Sequence, residues 1–193
     1  TSVAEVLGFT LPGAASIPAT DSMHPRMAAE SGRRIVEMVW EDLTPRRIMT
    51  ARAFENAVMV GLALSGSINL VRHLQAVAVE ARCPVDLYEL YDRLGPKVPL
   101  LCAVRPNGDT RIGELDAAGG TRAVLKRLET LVHLDALTVD GRDWRAVLAG
   151  GAVVGEVIRP LHHPLSSRPS VVVMRGNLAQ TVQRRDDRIG GTI

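Results

Sequence analysis

The loop that could bind a small polar ligand is Ser65-Gly66-Ser67-Ile68-Asn69, a short polar segment between two apolar stretches. It offers two hydroxyl groups, one side-chain amide and several backbone N–H groups at the predicted start of a helix. N–H groups in that position, together with the helix dipole, favour a carboxylate or hydroxyl ligand. Capping of the helix by Ser67 and Asn69 explains the same residues, because capping is their commonest role at a helix start. Ser65, Gly66, Ser67 and Asn69 are the candidate substrate-binding residues.

A second polar pair, Glu55 and Asn56, lies in the apolar stretch that precedes this loop. A structural hydrogen-bond network accounts for such a pair inside a buried helix. The turn Gly119-Gly120 could hold an anion at the start of the following helix, although a tight turn that lets the helix pack closely explains it as well. No complete catalytic set is present, and no catalytic residue is predicted in this segment.

Histidine and cysteine residues do not form a recognisable metal site in the sequence. None of the five histidines pairs with another histidine or a cysteine at zinc-ligand spacing (His24, His73, His133, His162 and His163). Cys83 and Cys102 lie far apart in the chain, beside apolar residues or proline, and are predicted to be small buried side chains. The prediction is therefore that this segment supplies no metal ligand.

The pattern of apolar residues predicts more helix than strand. Predicted helices cover residues 1–8, 25–42, a run after Thr44-Pro45, two helices within 51–80, 86–95 and 121–131. Predicted strands cover residues 98–104, 137–139, 156–159 and 170–175. This order predicts an α/β fold, a layered helix-rich domain with a short, mostly parallel sheet.

The chain is predicted to divide at residue 176. Residues 1–176 form the partial α/β domain, and residues 177–193 are predicted to be an aberrant or disordered tail, because their composition is polar and without a period.

Composition narrows the classes of function. The net charge is only +2 and aromatic residues make up 3% of the chain, so neither electrostatics nor base stacking points to a nucleic-acid partner. No apolar run is long enough to span a bilayer, so no membrane association is expected. Two cysteines cannot support a disulfide scaffold and fit a reducing compartment, which predicts a cytoplasmic location.

Several stretches together resemble the dihydroxy-acid and sugar-acid dehydratase family, which includes phosphogluconate dehydratase. They agree in order and spacing from Thr1 to about Ala179 and read SVAEVLGFTLPGAASIPA, LTPRRIMTARAFENAV, ALSGSINLVRHLQAVA, RPNGDTRIGELDAAGG, LDALTVDG, VIRPL and MRGNLA. The segments LDALTV and VIRPL are more similar in sequence to the sugar-acid branch of the family than to the branched-chain amino-acid branch. The resemblance implies that this segment is part of the family's N-terminal α/β/α domain.

The resemblance also implies a chemistry. Family members lose water from a 2,3-dihydroxy acid, and the enol product becomes a 2-keto acid. An iron–sulfur cluster acts as Lewis acid on the leaving hydroxyl group, Mg²⁺ lies nearby, and a serine alkoxide removes the C2 proton. In the family these ligands and this base lie outside the segment that the present chain matches. We therefore expect a central fragment that binds neither cofactor and is inactive alone.

Two departures from the family pattern concern the candidate loop and the tail. The family usually reads Gly-Gly-Ser-Thr-Asn-Ala where this chain has residues 65–70, so Ile68 replaces a threonine and Leu70 replaces an alanine. After Gln180 the expected start of a C-terminal β-barrel is replaced by TVQRRDDRIGG, which is typical of a truncated or frame-shifted end.

Three functional alternatives follow from these observations. The first is a fragment of a sugar-acid hydro-lyase whose parent enzyme is a homo-oligomer with a small acid as its substrate. The second is a fragment of the branched-chain dihydroxy-acid dehydratase. The third is a non-catalytic interaction or oligomerisation module, because the apolar helices within 51–80 would expose surface if the remainder of a dehydratase were absent.

Overall fold

The computed structural model describes residues 1–178 and 180–184, most of which lie in or between helices. The helices are α1 (Ser2–Val6), α2 (Met23–Trp40), α3 (Pro45–Ile48), α4 (Ala51–Ala63), α5 (Asn69–Glu80), α6 (Leu87–Leu94), a 3₁₀ turn (Gly95–Lys97), α7 (Ile112–Ala117), α8 (Gly120–Arg127) and α9 (Trp144–Leu148). The strands are β1 (Val171–Arg175) and β2 (Gln180–Arg184). The helix-rich α/β class predicted from the sequence is confirmed.

Helix α4 is the centre of the core. Every residue from Ala53 to Ala63 except Glu55 is buried, as expected for a helix that is apolar on nearly all sides. It packs against α1, α5, α6 and α8. The hydroxyl group of Thr50 accepts a hydrogen bond from the amide of Ala53 at 3.3 Å and caps the start of this helix.

Local sequence signals fix several helix ends as predicted. Gly8 stops α1 with φ of +88°, while its amide donates to the carbonyl of Glu5 and the amide of Phe9 donates to that of Ala4. This is the glycine-terminated arrangement that satisfies the last carbonyls of a helix. Asp86 starts α6, because its carboxylate accepts from the amides of Tyr88 and Glu89 at 2.8 and 3.2 Å.

Helix α2 contacts the rest of the chain along one narrow stripe only. Its buried residues are Arg34 and Met38. Met38 packs with Leu43 and Ile48 in a small separate cluster. Arg34 Nε donates to the carbonyl oxygen of Val139 at 2.6 Å, and its other nitrogens pair with Glu37 and Glu41. The opposite side of α2 is exposed.

The mostly parallel sheet predicted from the sequence is wrong for the described residues. Their one sheet consists of β1 and β2, which pair antiparallel from Val171 opposite Arg184 to Arg175 opposite Gln180. The other predicted strands form isolated bridges or none; for example, Leu100 pairs with Ser166. Pro99 lacks the N–H that a ladder needs, and Leu137 pairs with nearby Asp143 across a turn, so neither segment extends into a sheet.

The predicted tail, residues 177–193, is described only in part. Gln180–Arg184 forms strand β2, whereas Ala179 and residues 185–193 lie outside the described residues, so the aberrant or disordered tail stays a prediction. Within the part of the chain that is described, no helix combines the length and the hydropathy needed to cross a bilayer.

Candidate functional site

The candidate loop connects the end of α4 to the start of α5, as the sequence predicted. Ser65 is buried and has φ of +54°, the left-handed conformation that side chains other than glycine rarely adopt. The side-chain amide of Asn107 donates to the carbonyl oxygen of Ser65 and ties the loop to the turn after Pro106. Gly66 is tightly packed, because a Cβ atom there would lie 2.6 Å from Leu70 Cδ1 and 3.0 Å from the carbonyl oxygen of Gly61.

The groups of the loop that are available to a ligand lie in its exposed part. Ser67 and Asn69 are exposed, and Ser67 Oγ accepts a hydrogen bond from the amide of Asn69 at 3.3 Å. Among the residues that the structure describes, no acceptor contacts the amides of Ser67 and Ile68. The loop therefore presents a hydroxyl group and two open N–H donors at the N-terminus of a 12-residue helix, a combination that suits a carboxylate or a hydroxyl group.

The left-handed conformation of Ser65 allows a stability test. Ser65→Gly is expected to raise the free energy of unfolding by about 0.5 kcal/mol, since relief of about 1 kcal/mol of backbone strain outweighs the added entropy of the unfolded chain. Ser65→Ala keeps the strained Cβ atom and serves as the control, with no gain expected. Urea denaturation of both variants measures the difference, and equal stabilities would contradict strain at this residue.

Glu55 and Asn56 both belong to a hydrogen-bond network with His133. The Asn56 side chain donates to the carbonyl oxygen of His133 at 2.9 Å and accepts from its amide at 2.8 Å. Glu55 Oε2 lies 2.6 Å from His133 Nε2, and Arg93 donates to Glu55 Oε1 at 2.6 Å. Burial raises the pKa of Glu55, but its hydrogen bonds to His133 and Arg93 outweigh this and leave the pKa lowered. The network joins α4 to α6 and to the segment before α9.

A polar cluster that the sequence did not indicate lies beside α1. Glu5 is fully buried, and its two carboxylate oxygens accept from the amides of Gly13 and Ala15 at 2.8 Å each. Burial raises the pKa of Glu5 despite these bonds. Ser16, at the end of the same loop, donates to Asp116 Oδ1 at 2.6 Å. Glu5 thus holds residues 13–15 in place, and Ser16 joins them to α7.

The turn Gly119-Gly120 packs against Ser16, the residue that joins the loop to α7. A Cβ atom on Gly120 would overlap Ser16 Oγ and lie 3.2 Å from Ser16 Cβ, so glycine allows the close approach of the two segments. The next residue, Thr121, is fully buried, and its hydroxyl group is the one buried side-chain polar atom without a partner in the described part of the chain.

Thr121→Val is therefore expected to keep or raise stability, by up to about 1 kcal/mol, because it removes an unpaired buried hydroxyl group at constant shape. Thr138→Val is the matched control. Thr138 is equally buried, but its hydroxyl group contacts Asp140 Oδ1 at 2.6 Å and the carbonyl oxygen of Arg142 at 3.0 Å, so its loss should cost about 1–2 kcal/mol. Thermal unfolding of the two variants tests this contrast, which a larger loss at Thr121 would refute.

The donor groups of this segment do not fit an iron–sulfur cluster or Mg²⁺. Cys83 is half-buried and Cys102 is buried, and burial raises the pKa of both thiols, whereas cluster ligation needs thiolates. In the described residues, no three histidine, cysteine or acidic side chains come together as a metal site would require.

Comparison with known proteins identifies the family. Residues 1–147 match the model of the dihydroxy-acid/6-phosphogluconate dehydratase N-terminal domain. Over 182 residues the chain is 42% identical to the dihydroxy-acid dehydratase of Methanosarcina barkeri, covering 92% of this chain and 33% of that protein. The enzymes of the same name from Ignicoccus hospitalis and Acetivibrio thermocellus are also 42% identical, over 92% and 91% of this chain and 32% of each relative.

The chain belongs to this dehydratase family, a family of hydro-lyases, and the resemblance predicted from its motifs is confirmed. It spans about a third of the length of the curated relatives it matches.

Sequence reasoning placed the candidate loop correctly between two helices but missed two partners. The sequence did not indicate His133 as a partner, although its backbone contacts Asn56 and its ring contacts Glu55. Glu5 was assigned no role, although an acidic residue on the apolar face of a short helix is a signal that a buried acceptor is needed.

Proposed function

We propose that this chain is the part of a hydro-lyase that helps to bind a 2,3-dihydroxy acid, from which the whole enzyme removes water to form a 2-keto-3-deoxy acid. The observation that carries the proposal is the 42% identity with dihydroxy-acid dehydratases over nearly the whole chain. The family's cluster and Mg²⁺ would act as Lewis acids toward the leaving hydroxyl group, and residues elsewhere in the full-length protein would hold them. Such an enzyme would act in the cytoplasm.

The substrate we favour is a short branched 2,3-dihydroxy acid. The relatives described above are all named dihydroxy-acid dehydratase. A sugar acid is the second candidate, because the family model also covers 6-phosphogluconate dehydratases and because LDALTV and VIRPL are similar to the sugar-acid branch.

In this proposal the loop Ser65–Asn69 binds the substrate through its exposed groups. The open amides of Ser67 and Ile68 donate to the carboxylate, and Ser67 Oγ contacts a carboxylate or hydroxyl oxygen. Ser65 and Gly66 act by shaping the turn, and Asn69 is the first residue of the helix whose dipole favours the anion. The pair Glu55 and Asn56 supports the scaffold and does not touch the substrate.

The isolated chain is expected to be inactive. After anaerobic reconstitution with iron and sulfide, the purified chain should show no absorbance from a stoichiometric cluster and no dehydration of either substrate type. A bound cluster would contradict this expectation, because it would require ligands that the described residues do not bring together.

A chimera tests the proposed reaction and substrate. Residues 1–178 replace the matching third of the Methanosarcina barkeri enzyme, and dehydration is measured with a short branched dihydroxy acid and with a six-carbon sugar acid. We expect turnover with the branched acid. Turnover of the sugar acid alone would favour the second candidate, and a folded, cluster-loaded chimera without activity on either would refute the proposal.

The role of the loop is tested in the same chimera. Ser67→Ala is expected to raise KM for the acid about tenfold, as expected for the loss of a hydrogen bond to a charged group. Ser31→Ala is the control, because Ser31 is an exposed serine on α2 whose hydroxyl group donates to the carbonyl oxygen of Met27. An unchanged KM in the Ser67 variant would exclude the loop from substrate binding.

A further inference from the structure

The candidate loop is supported by a segment that is distant in sequence, residues 101–110. The backbone amides of residues 101–102 donate to the carbonyl oxygen of Ala63, the last residue of α4, at 2.9 and 3.1 Å. Further along the loop, the carbonyl oxygen of Ser65 accepts a hydrogen bond from the side-chain amide of Asn107. Residues 101–110 therefore contact both the end of α4 and the loop that follows it.

The turn that carries Asn107 is held by hydrogen bonds of its own. The amide of Arg105 donates to the carbonyl oxygen of Thr110 at 2.9 Å, and the amide of Asn107 donates to the carbonyl oxygen of Val104 at the same distance. The turn is also closely packed, because a Cβ atom on Gly108 would overlap a backbone carbonyl oxygen. Asn107 thus contacts the candidate loop from a well-defined support, as a residue that orders a binding site must.

The Ser65–Gly66 peptide group is bound at both of its polar atoms. Its N–H group, on Gly66, donates to the carbonyl oxygen of Gly61 at 2.7 Å, and the amide of Ser65 donates to that of Leu62 at 3.3 Å. With the left-handed conformation of Ser65, these two bonds form a Schellman motif at the end of α4. The carbonyl oxygen of the same peptide group is the acceptor for Asn107. A rotation of this peptide group would therefore break a bond at each end.

The bond from Asn107 offsets a local disadvantage of Ser65. Glycine usually occupies the left-handed position of a Schellman motif, whereas this chain has a serine there. The Cβ atom of serine disfavours that conformation by an energy similar to that of one hydrogen bond. Without Asn107, we expect Ser65 to adopt a right-handed conformation in a substantial fraction of molecules, which would rotate the Ser65–Gly66 peptide group and displace the residues after it.

We infer that Asn107 is a positioning residue for substrate binding. By holding the carbonyl group of Ser65, it keeps the open amides of Ser67 and Ile68 in the geometry that binds a carboxylate. The inference rests on the proposed function of the loop and adds to it a residue 42 positions away from Ser65. Asn107 acts through the backbone of Ser65 and has no contact with the substrate.

The conformational part of the inference is tested by NMR on the full chain, without substrate or cofactor. In Asn107→Ala, the coupling between the amide and Cα protons of Ser65 should move away from the value for φ of +54°, and the resonances of residues 67–68 should shift. Gln75→Ala is the matched control and should change neither. Gln75 is also a half-buried amide side chain that bonds to backbone, with Nε2 3.3 Å from the carbonyl oxygen of Val85. Circular dichroism verifies that both variants are folded.

The consequence for binding is tested in the chimera described above. Asn107→Ala is expected to raise KM about fivefold and to change kcat less than about twofold, because apparent affinity falls with the fraction of molecules in the binding conformation. Gln75→Ala should change KM less than about twofold, because the bond that it removes lies away from the loop.

A double variant separates positioning from a merely structural role. In a Ser65→Gly background, Asn107→Ala should raise KM less than about twofold, since glycine adopts the left-handed conformation without support. A structural role alone would lower the stability of the chain to the same extent in both backgrounds and would not give this dependence on residue 65.

Any of three results would overturn the inference. They are a φ of Ser65 that Asn107→Ala leaves unchanged, a KM that Asn107→Ala leaves unchanged while Ser67→Ala raises it, and an increase in KM that is equal in the two backgrounds. Failure of the proposed function is recognised separately, because it appears as an unchanged KM in the Ser67 variant or as a folded, cluster-loaded chimera without activity.

Discussion

Gly8→Ala is expected to lower the free energy of unfolding by about 4 kcal/mol. Gly8 has φ of +88°, and a Cβ atom there would lie 2.5 Å from the carbonyl oxygen of Leu137 and 2.6 Å from Ile48 Cγ2. The left-handed conformation contributes about 1–2 kcal/mol for a residue with a Cβ atom. The overlap with a backbone oxygen contributes about 1–3 kcal/mol more, because backbone cannot move aside as a flexible side chain can.

Gly155→Ala separates these two contributions. Gly155 also has a positive φ, of +69°, but no atom would lie within 4 Å of its Cβ. We expect this control to cost about 1 kcal/mol, from conformation alone. Urea denaturation of the two variants gives the difference as a shift in midpoint at constant slope. Equal decreases in the free energy of unfolding would show that the overlap of a Cβ atom at residue 8 with Leu137 and Ile48 costs nothing.

Asn56→Ala is expected to lower the free energy of unfolding by about 3 kcal/mol. Asn56 is fully buried, and its side chain satisfies both the amide and the carbonyl group of His133. Removing it leaves a donor and an acceptor unpaired in the interior, each at a cost of about 1–3 kcal/mol. The better helix propensity of alanine returns about 0.5 kcal/mol.

Asn69→Ala is the control for this substitution. Asn69 lies in a helix too, but it is exposed, so its replacement should change stability by less than about 0.5 kcal/mol. Thermal unfolding monitored by circular dichroism compares the two. A loss at Asn56 no larger than that at Asn69 would refute a structural role for the contact with His133.

Features set by neighbouring residues could be predicted from the sequence. Gly8 ends a helix, Asp86 begins one, and the small residues after Leu64 separate the buried helix α4 from α5, because each of these signals acts within a few residues. The candidate loop was placed by the same local logic, and the motifs shared with the dehydratases identified the family.

Features set by distant residues could not be predicted. Asn56 contacts a residue 77 positions away, and nothing near Asn56 in the sequence specifies that partner. The prediction of a mostly parallel sheet was wrong for a related reason. An apolar run such as residues 98–104 indicates burial, but whether it pairs with another strand depends on which segments the packed helices leave beside it. The short helices α7 and α9 contain too few residues to show a period.

The attachment of α2 has a mechanical consequence. Arg34 Nε donates to the carbonyl oxygen of Val139, and the backbone amide of Val139 donates to the carbonyl oxygen of Gly8 at 2.8 Å. One residue thus connects the helix to the turn from which the loop held by Glu5 departs. A rotation of α2 either strains these bonds or moves the turn. The position of α2 and the geometry of the Gly8 turn are therefore energetically linked, and linkage acts equally in both directions.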